Sequence, residues 1–180
     1  MSYKIKLNQA ISMREQGRAE ENQSLITESR NILFDLLKEN PNNADINYHI
    51  GVTFDNSGFT KDAIPFYRKS IDLGLNKIDL ERCYLGLGSS YRLLGHYTES
   101  VEIFEKAVDS YPDNRALQIF LSIAYYNIGK YKESLELSLN NLLDTSTDDK
   151  LNFFNRPLKY YANHLDETWN PPFFEDDKDK

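Results

Sequence analysis

The chain has 180 residues, 40% hydrophobic and 27% charged, a balance that suits one globular domain long enough to bury a continuous core. Its 28 acidic and 21 basic residues leave a formal charge of -7, which repels a phosphate backbone at long range and argues against nucleic acid as a partner. No apolar run approaches the ~18 residues of a membrane span, the segment Met1 to Gln9 lacks the apolar stretch of a signal peptide, and Cys83 alone can build neither a disulfide framework nor a multi-thiolate zinc site; together these favour the cytoplasm and no membrane partner.

In chain order, Tyr3 to Glu20 and Ser24 to Glu39 read as helices. The second carries Leu25, Ile32, Leu33, Leu36 and Leu37 at mostly helical spacing and ends at the turn Asn40-Pro41-Asn42-Asn43. Gly17 fits the first helix in either of two ways, as an inner glycine of close helix approach or as a turn glycine. Next come Ile50-Gly51, Phe54, Gly58 and Ala63, and 37 residues on the same types return as Leu87-Gly88, Tyr91, Gly95 and Ser100. The loop Gly74-Leu75-Asn76-Lys77 accommodates the extra length. After a further 34 residues the pattern recurs as Leu121-Ser122, Tyr125, Gly129 and Ser134. Ser138 to Leu143 ends that copy, and Asp144 to Asp149 supplies loop and N-cap chemistry. Leu151, Phe154, Leu158, Tyr161 and Leu165 then predict a helix through Trp169, with Pro157 imposing a kink or a late start. The remainder, Asn170 to Lys180, joins a double proline to an acidic end and is expected to be mobile; Phe173 and Phe174 give it a means of docking on a neighbouring surface.

Tyr84, Leu87-Gly88, Tyr91, Ser100, Phe104, Ala107 and Pro112 occupy successive signature positions of the tetratricopeptide repeat, which this chain resembles. The segment Tyr84 to Gly95, with Asn163 to Trp169, is similar to small stand-alone bacterial tetratricopeptide proteins of the group 5 type. The resemblance implies an all-α fold, a right-handed superhelical solenoid of helical hairpins over residues 1–169. It divides into a degenerate N-capping repeat (3–43), three clear repeats (44–80, 81–114 and 115–145) and a C-terminal capping helix (148–169), followed by the acidic tail (170–180). Each signature type has a mechanical reason: small residues let two helices approach, and large apolar ones fill the space between them. One such hairpin cannot bury its own face, so stability comes from stacked neighbours.

The residues offer little chemistry. His49, His96 and His164 lie far apart with no metal-ligand spacing, Gly86 and Gly88 fall within a helix rather than in a phosphate loop, and the pairs Asp148-Asp149 and Asp176-Asp177 sit in loop and tail. Cys83 has no basic group beside it in sequence and reads as packing. No enzyme, metal or cofactor is expected, and a protein or peptide is the expected ligand.

In the family the first helices of successive hairpins line a concave groove. Transferring its groove positions gives Tyr48, Val52, Asp55 and Asn56; Leu85, Ser89, Arg92 and Leu93; and Ile119, Ile123, Tyr126 and Asn127. Polar and aromatic side chains are harder to explain as core, so Tyr48, Asp55, Asn56, Ser89, Arg92, Tyr126 and Asn127 are the candidate contacts, with Arg92 as a donor to a carboxylate or backbone carbonyl. The family's clamp for a chaperone C-terminus requires lysines, an arginine and asparagines where this chain has Tyr48, Val52, Gly86, Ala116 and Phe120, so that ligand is not expected. Self-association of the solenoid and a secretion-type chaperone role are the alternatives.

Overall fold

The computed structural model describes residues 3–168. Among them are ten helices: α1 (Tyr3–Ala19), α2 (Gln23–Glu39), α3 (Ala44–Asn56), α4 (Thr60–Asp72), α5 (Lys77–Leu93), α6 (Tyr97–Ser110), α7 (Arg115–Asn127), α8 (Tyr131–Thr145), α9 (Asp149–Phe153) and α10 (Asn155–Ala162). The first eight pair as antiparallel hairpins, α1 with α2 through α7 with α8, and each hairpin stacks on the next to form an all-α solenoid.

Local chemistry explains where these helices start and stop. Asn43, Asn76 and Asn114 cap α3, α5 and α7, their side-chain oxygens accepting the N–H of Ile46, Asp79 and Leu117 at 3.0–3.1 Å. The second helices α4, α6 and α8 have no such cap. They are entered through a tight closure in which the N–H of Phe59, His96 and Lys130 bonds the carbonyl of Phe54, Tyr91 and Tyr125 at 2.9–3.0 Å. The residue before each donor is a glycine at φ 77–81° (Gly58, Gly95, Gly129), the left-handed conformation this motif requires.

The first hairpin closes in the same way, which settles its register. Asn22 N–H bonds the Gly17 carbonyl at 2.7 Å, and Glu21 takes the left-handed position with φ 53°. Gly17 therefore holds neither the inner position of the repeat nor the left-handed turn position; it stands where the later hairpins have Phe54, Tyr91 and Tyr125, and it is a glycine of close approach there, since a Cβ on it would lie 2.9 Å from Ile26 Cγ1. The inner position of the first hairpin falls on Arg14.

This register exposes a rule of packing. In three hairpins the inner residue meets a partner 16 residues on, Gly51 with Tyr67, Gly88 with Phe104 and Ser122 with Ser138, and in the first hairpin the same two positions hold Arg14 and Arg30. A Cβ built on Gly88 would lie 2.6 Å from Phe104 Cζ, so glycine is required there by contact. The serine pair replaces that contact with a 2.6 Å hydrogen bond. The arginine pair diverges. Arg14 turns to His49 on α3, while Arg30 lies 4.3 Å from the Phe54 ring centre and donates to Thr53 Oγ1 at 3.1 Å and the Thr53 carbonyl at 2.9 Å. The first hairpin is thus tied to the second by charged donors where its successors use aromatic packing.

Three buried clusters centre on Leu33, Tyr67 and Phe104 and share Phe54, Ile71, Leu80 and Ile103 at their borders, making one continuous core. At the C-terminal end the expected single helix is two. Asp148 caps α9, the chain turns at Phe154, and Pro157 falls in the first turn of α10, where it lacks no intrahelical bond. Helix α10 ends at Ala162 and packs on α8. The expectation of a mobile acidic tail falls outside the described residues.

Candidate functional site

Each first helix touches the next, α1 to α3, α3 to α5 and α5 to α7, whereas no comparable contact links the second helices to one another. The closer spacing puts the first helices on the inside of the curve. The candidate residues lie along α3, α5 and α7 of that inner face.

The structure divides them into two sets. Tyr48 is 7% exposed and packs with Tyr67, Cys83 and Leu87; burial pushes its phenol up to about 12. Asp55 is half-buried and accepts from the Tyr67 hydroxyl at 2.7 Å and Ser90 Oγ at 3.3 Å. Burial raises its carboxyl above the ordinary range against the pull of those two donors. Both side chains belong to the walls of the solenoid rather than to its open surface. Asn56 is half-buried, its carbonyl 3.5 Å from Gln23 Nε2. Ser89 Oγ is buried and has no hydrogen-bond partner among the described residues.

The second set comes together on α5 and α7. Arg92 Nε donates to Asn127 Oδ1 at 2.8 Å, joining the two helices. Its two terminal nitrogens make no ion pair among the described residues. Tyr126 is 62% exposed, and Leu93, Ile119 and Ile123 are exposed beside it. A guanidinium held at one nitrogen and open at two, bordered by apolar side chains, can take a carboxylate or carbonyl together with an apolar group.

The inner face also carries a pair that the sequence does not announce. Arg14 Nη1 donates to His49 Nδ1 at 3.0 Å, and Arg14 Nη2 meets Glu15 Oε1 at 2.5 Å. Burial first, and the neighbouring guanidinium second, push the imidazole down to about 4, so it is neutral at pH 7. Only the register from the turn hydrogen bonds reveals that Arg14 stands at an inner position. Cys83 is buried, its thiol donating toward the Tyr67 carbonyl at 3.6 Å, and burial pushes it up to about 12, far from a reactive thiolate. Among the described residues no three His, Cys, Asp or Glu side chains converge as a metal site, and no helix is long and apolar enough to cross a membrane.

Stacked helical hairpins with small residues at their inner crossings and an inner face of first helices define a helical-repeat interaction scaffold. The chain belongs to the tetratricopeptide repeat family, whose model matches residues 44–165, and its fold is that family's right-handed superhelix. Members of the family are in general non-enzymatic scaffolds for protein partners. Photosystem I assembly protein Ycf3 of Prochlorococcus marinus is 28% identical over 97 residues, 54% of this chain. The chain spans 6% to 56% of the length of the curated relatives it matches. Among solved structures, MamA residues 41–end from Desulfovibrio magneticus superposes with a TM-score of 0.65 at 16% identity, covering 88% of this chain and 90% of that one. YrrB, described as a TPR protein with an unusual peptide-binding site, gives 0.60 at 17% identity, covering 82% and 74%.

Proposed function

We propose that the chain is a non-enzymatic cytoplasmic adaptor that binds an extended peptide or a partner's exposed segment on its inner face, at the α5–α7 half. The observation that carries this reading is the Arg92–Asn127 bond, which fixes the guanidinium beside exposed Leu93, Ile119, Ile123 and Tyr126 while leaving two of its nitrogens open. Charge-assisted bonding sets the register of the ligand and apolar contact supplies affinity. Tyr48 and Asp55 act behind this surface, holding α3 against α4 and α5. The description of YrrB as carrying a peptide-binding site gives a precedent for such a use of the fold.

The test is selection of peptides from a random library on the full chain, followed by titration of a selected peptide against Arg92→Ala and Tyr126→Ala. Each substitution weakens binding about tenfold or more if the reading holds, the size of a hot-spot loss. Peptides that bind both variants as tightly as the parent overturn it.

A second reading, self-association, is favoured by the exposure of Leu135, Leu142, Phe153 and Phe154 around the C-terminal end. Sedimentation of the full chain separates the two, since an adaptor without its ligand runs as a monomer at all concentrations.

A further inference from the structure

A cleft of about 680 Å³ lies at the C-terminal end, lined by Arg156, Pro157, Tyr160, Tyr161, His164, Glu167 and Thr168. Its wall is ordered: the His164 ring lies flat on Tyr160, with centroids 4.2 Å apart and planes at 16°, and its Nδ1 bonds the Tyr160 carbonyl at 2.6 Å. Tyr161 is 63% exposed, an aromatic surface left to solvent by the described residues. The charges around it are unevenly matched. Arg115 and Lys159 both engage Asp144, at 3.0 and 2.6 Å, whereas Arg156 makes no ion pair among the described residues, Glu167 of the same lining included.

We propose that this cleft seats the chain's own C-terminal segment, with Trp169, Phe173 and Phe174 on the tyrosine and proline surface and Glu175 to Asp177 against Arg156. Three observations select that occupant. Thr168 is itself part of the lining, so the segment starts inside the cleft. Phe173 and Phe174 follow Thr168 by five and six residues, a reach of about 20 Å at most, and Pro171-Pro172 favours an extended path that loses little entropy on docking. The chemistry matches, since residues 169–180 contain three aromatics and four carboxylates against two lysines. Tethering raises the local concentration of the segment to the millimolar range, so a small contact suffices to hold it. Docking covers the aromatic end of the solenoid, as terminal repeats of such stacks require.

Trp169 is the single tryptophan, so its emission reports on the segment directly. Acrylamide quenching is measured on the full chain over a wide concentration range, and on Arg156→Glu and the double variant Phe173→Ala/Phe174→Ala, with helicity checked by circular dichroism. Arg156 is exposed, so its replacement leaves the fold intact. Shielding of Trp169 that is independent of concentration and falls in both variants toward the level of the urea-unfolded chain supports the proposal. Quenching in the native chain equal to that in urea, or shielding unchanged in either variant, overturns it. Shielding lost on dilution assigns the cleft to the tail of a second copy and overturns it as well.

Discussion

The hydroxyl of Tyr67 donates to Asp55 Oδ2 at 2.7 Å from a ring that touches glycines of two successive hairpins. A Cβ on Gly51 or on Gly86 would come within 2.8 Å of that ring, so α3 and α5 both close onto a side chain of α4. Tyr67→Phe keeps the ring and removes the donor, leaving Asp55 with Ser90 alone. A hydrogen bond to an ionised partner contributes about 1.5–3 kcal/mol, and the variant is expected to lose stability in that range at neutral pH. Because the Tyr67 donor favours the ionised carboxylate, the loss shrinks as Asp55 protonates in acid. Urea unfolding of parent and variant at neutral pH and near about pH 4 checks both the size and the direction.

Glu21 holds the left-handed position that glycine fills in the three later closures. That conformation costs a residue with a Cβ about 1–2 kcal/mol, and the greater freedom of glycine in the unfolded chain returns part of it. Glu21→Gly is therefore expected to stabilise the protein by about 0.5–1 kcal/mol, seen as a rise in Tm. Gly95→Ala, at φ 80°, moves the other way.

His49 makes stability depend on pH in a defined window. Its folded value lies near 4 and its ordinary value at 6.5, so the unfolded chain takes up the proton first as pH falls. The stabilisation is complete above about 6.5, declines between there and about 4, and amounts to ~3 kcal/mol at most. His49→Gln preserves an acceptor for Arg14 and removes the titration. Unfolding free energy measured across that range is expected to fall less steeply for the variant than for the parent.

Much of the fold was legible because the repeat is mechanical. Gly58, Gly95 and Gly129 end first helices, asparagines start them, and Gly88 with Phe104 sits at the spacing close approach demands. What repetition hides is context. Tyr48, Leu85 and Ile119 share one repeat position yet are buried, half-buried and exposed in turn, because α3 has first helices on both sides and α7 has only α5. A position-based transfer therefore grouped Tyr48 and Asp55, which pack inward, with Arg92 and Tyr126, which reach the surface. The first hairpin was opaque for a related reason: Arg14 and Arg30 replace a small and an aromatic residue together, and a changed pair erases both halves of the signature at once. Pro157 gave the opposite case: it promised a kink or a late start within one helix, and the structure has two helices, the second starting at Asn155 with the proline in its first turn.

The central claim, that the inner face around Arg92 is the binding surface, is tested most directly by titrating one selected peptide against the parent, Arg92→Ala and Glu102→Ala, the last an exposed residue of the second helix α6. The account predicts that Arg92→Ala weakens binding about tenfold or more, ~1.4 kcal/mol, while Glu102→Ala leaves it unchanged. Equal affinity for the parent and Arg92→Ala, or a loss confined to Glu102→Ala, would contradict it.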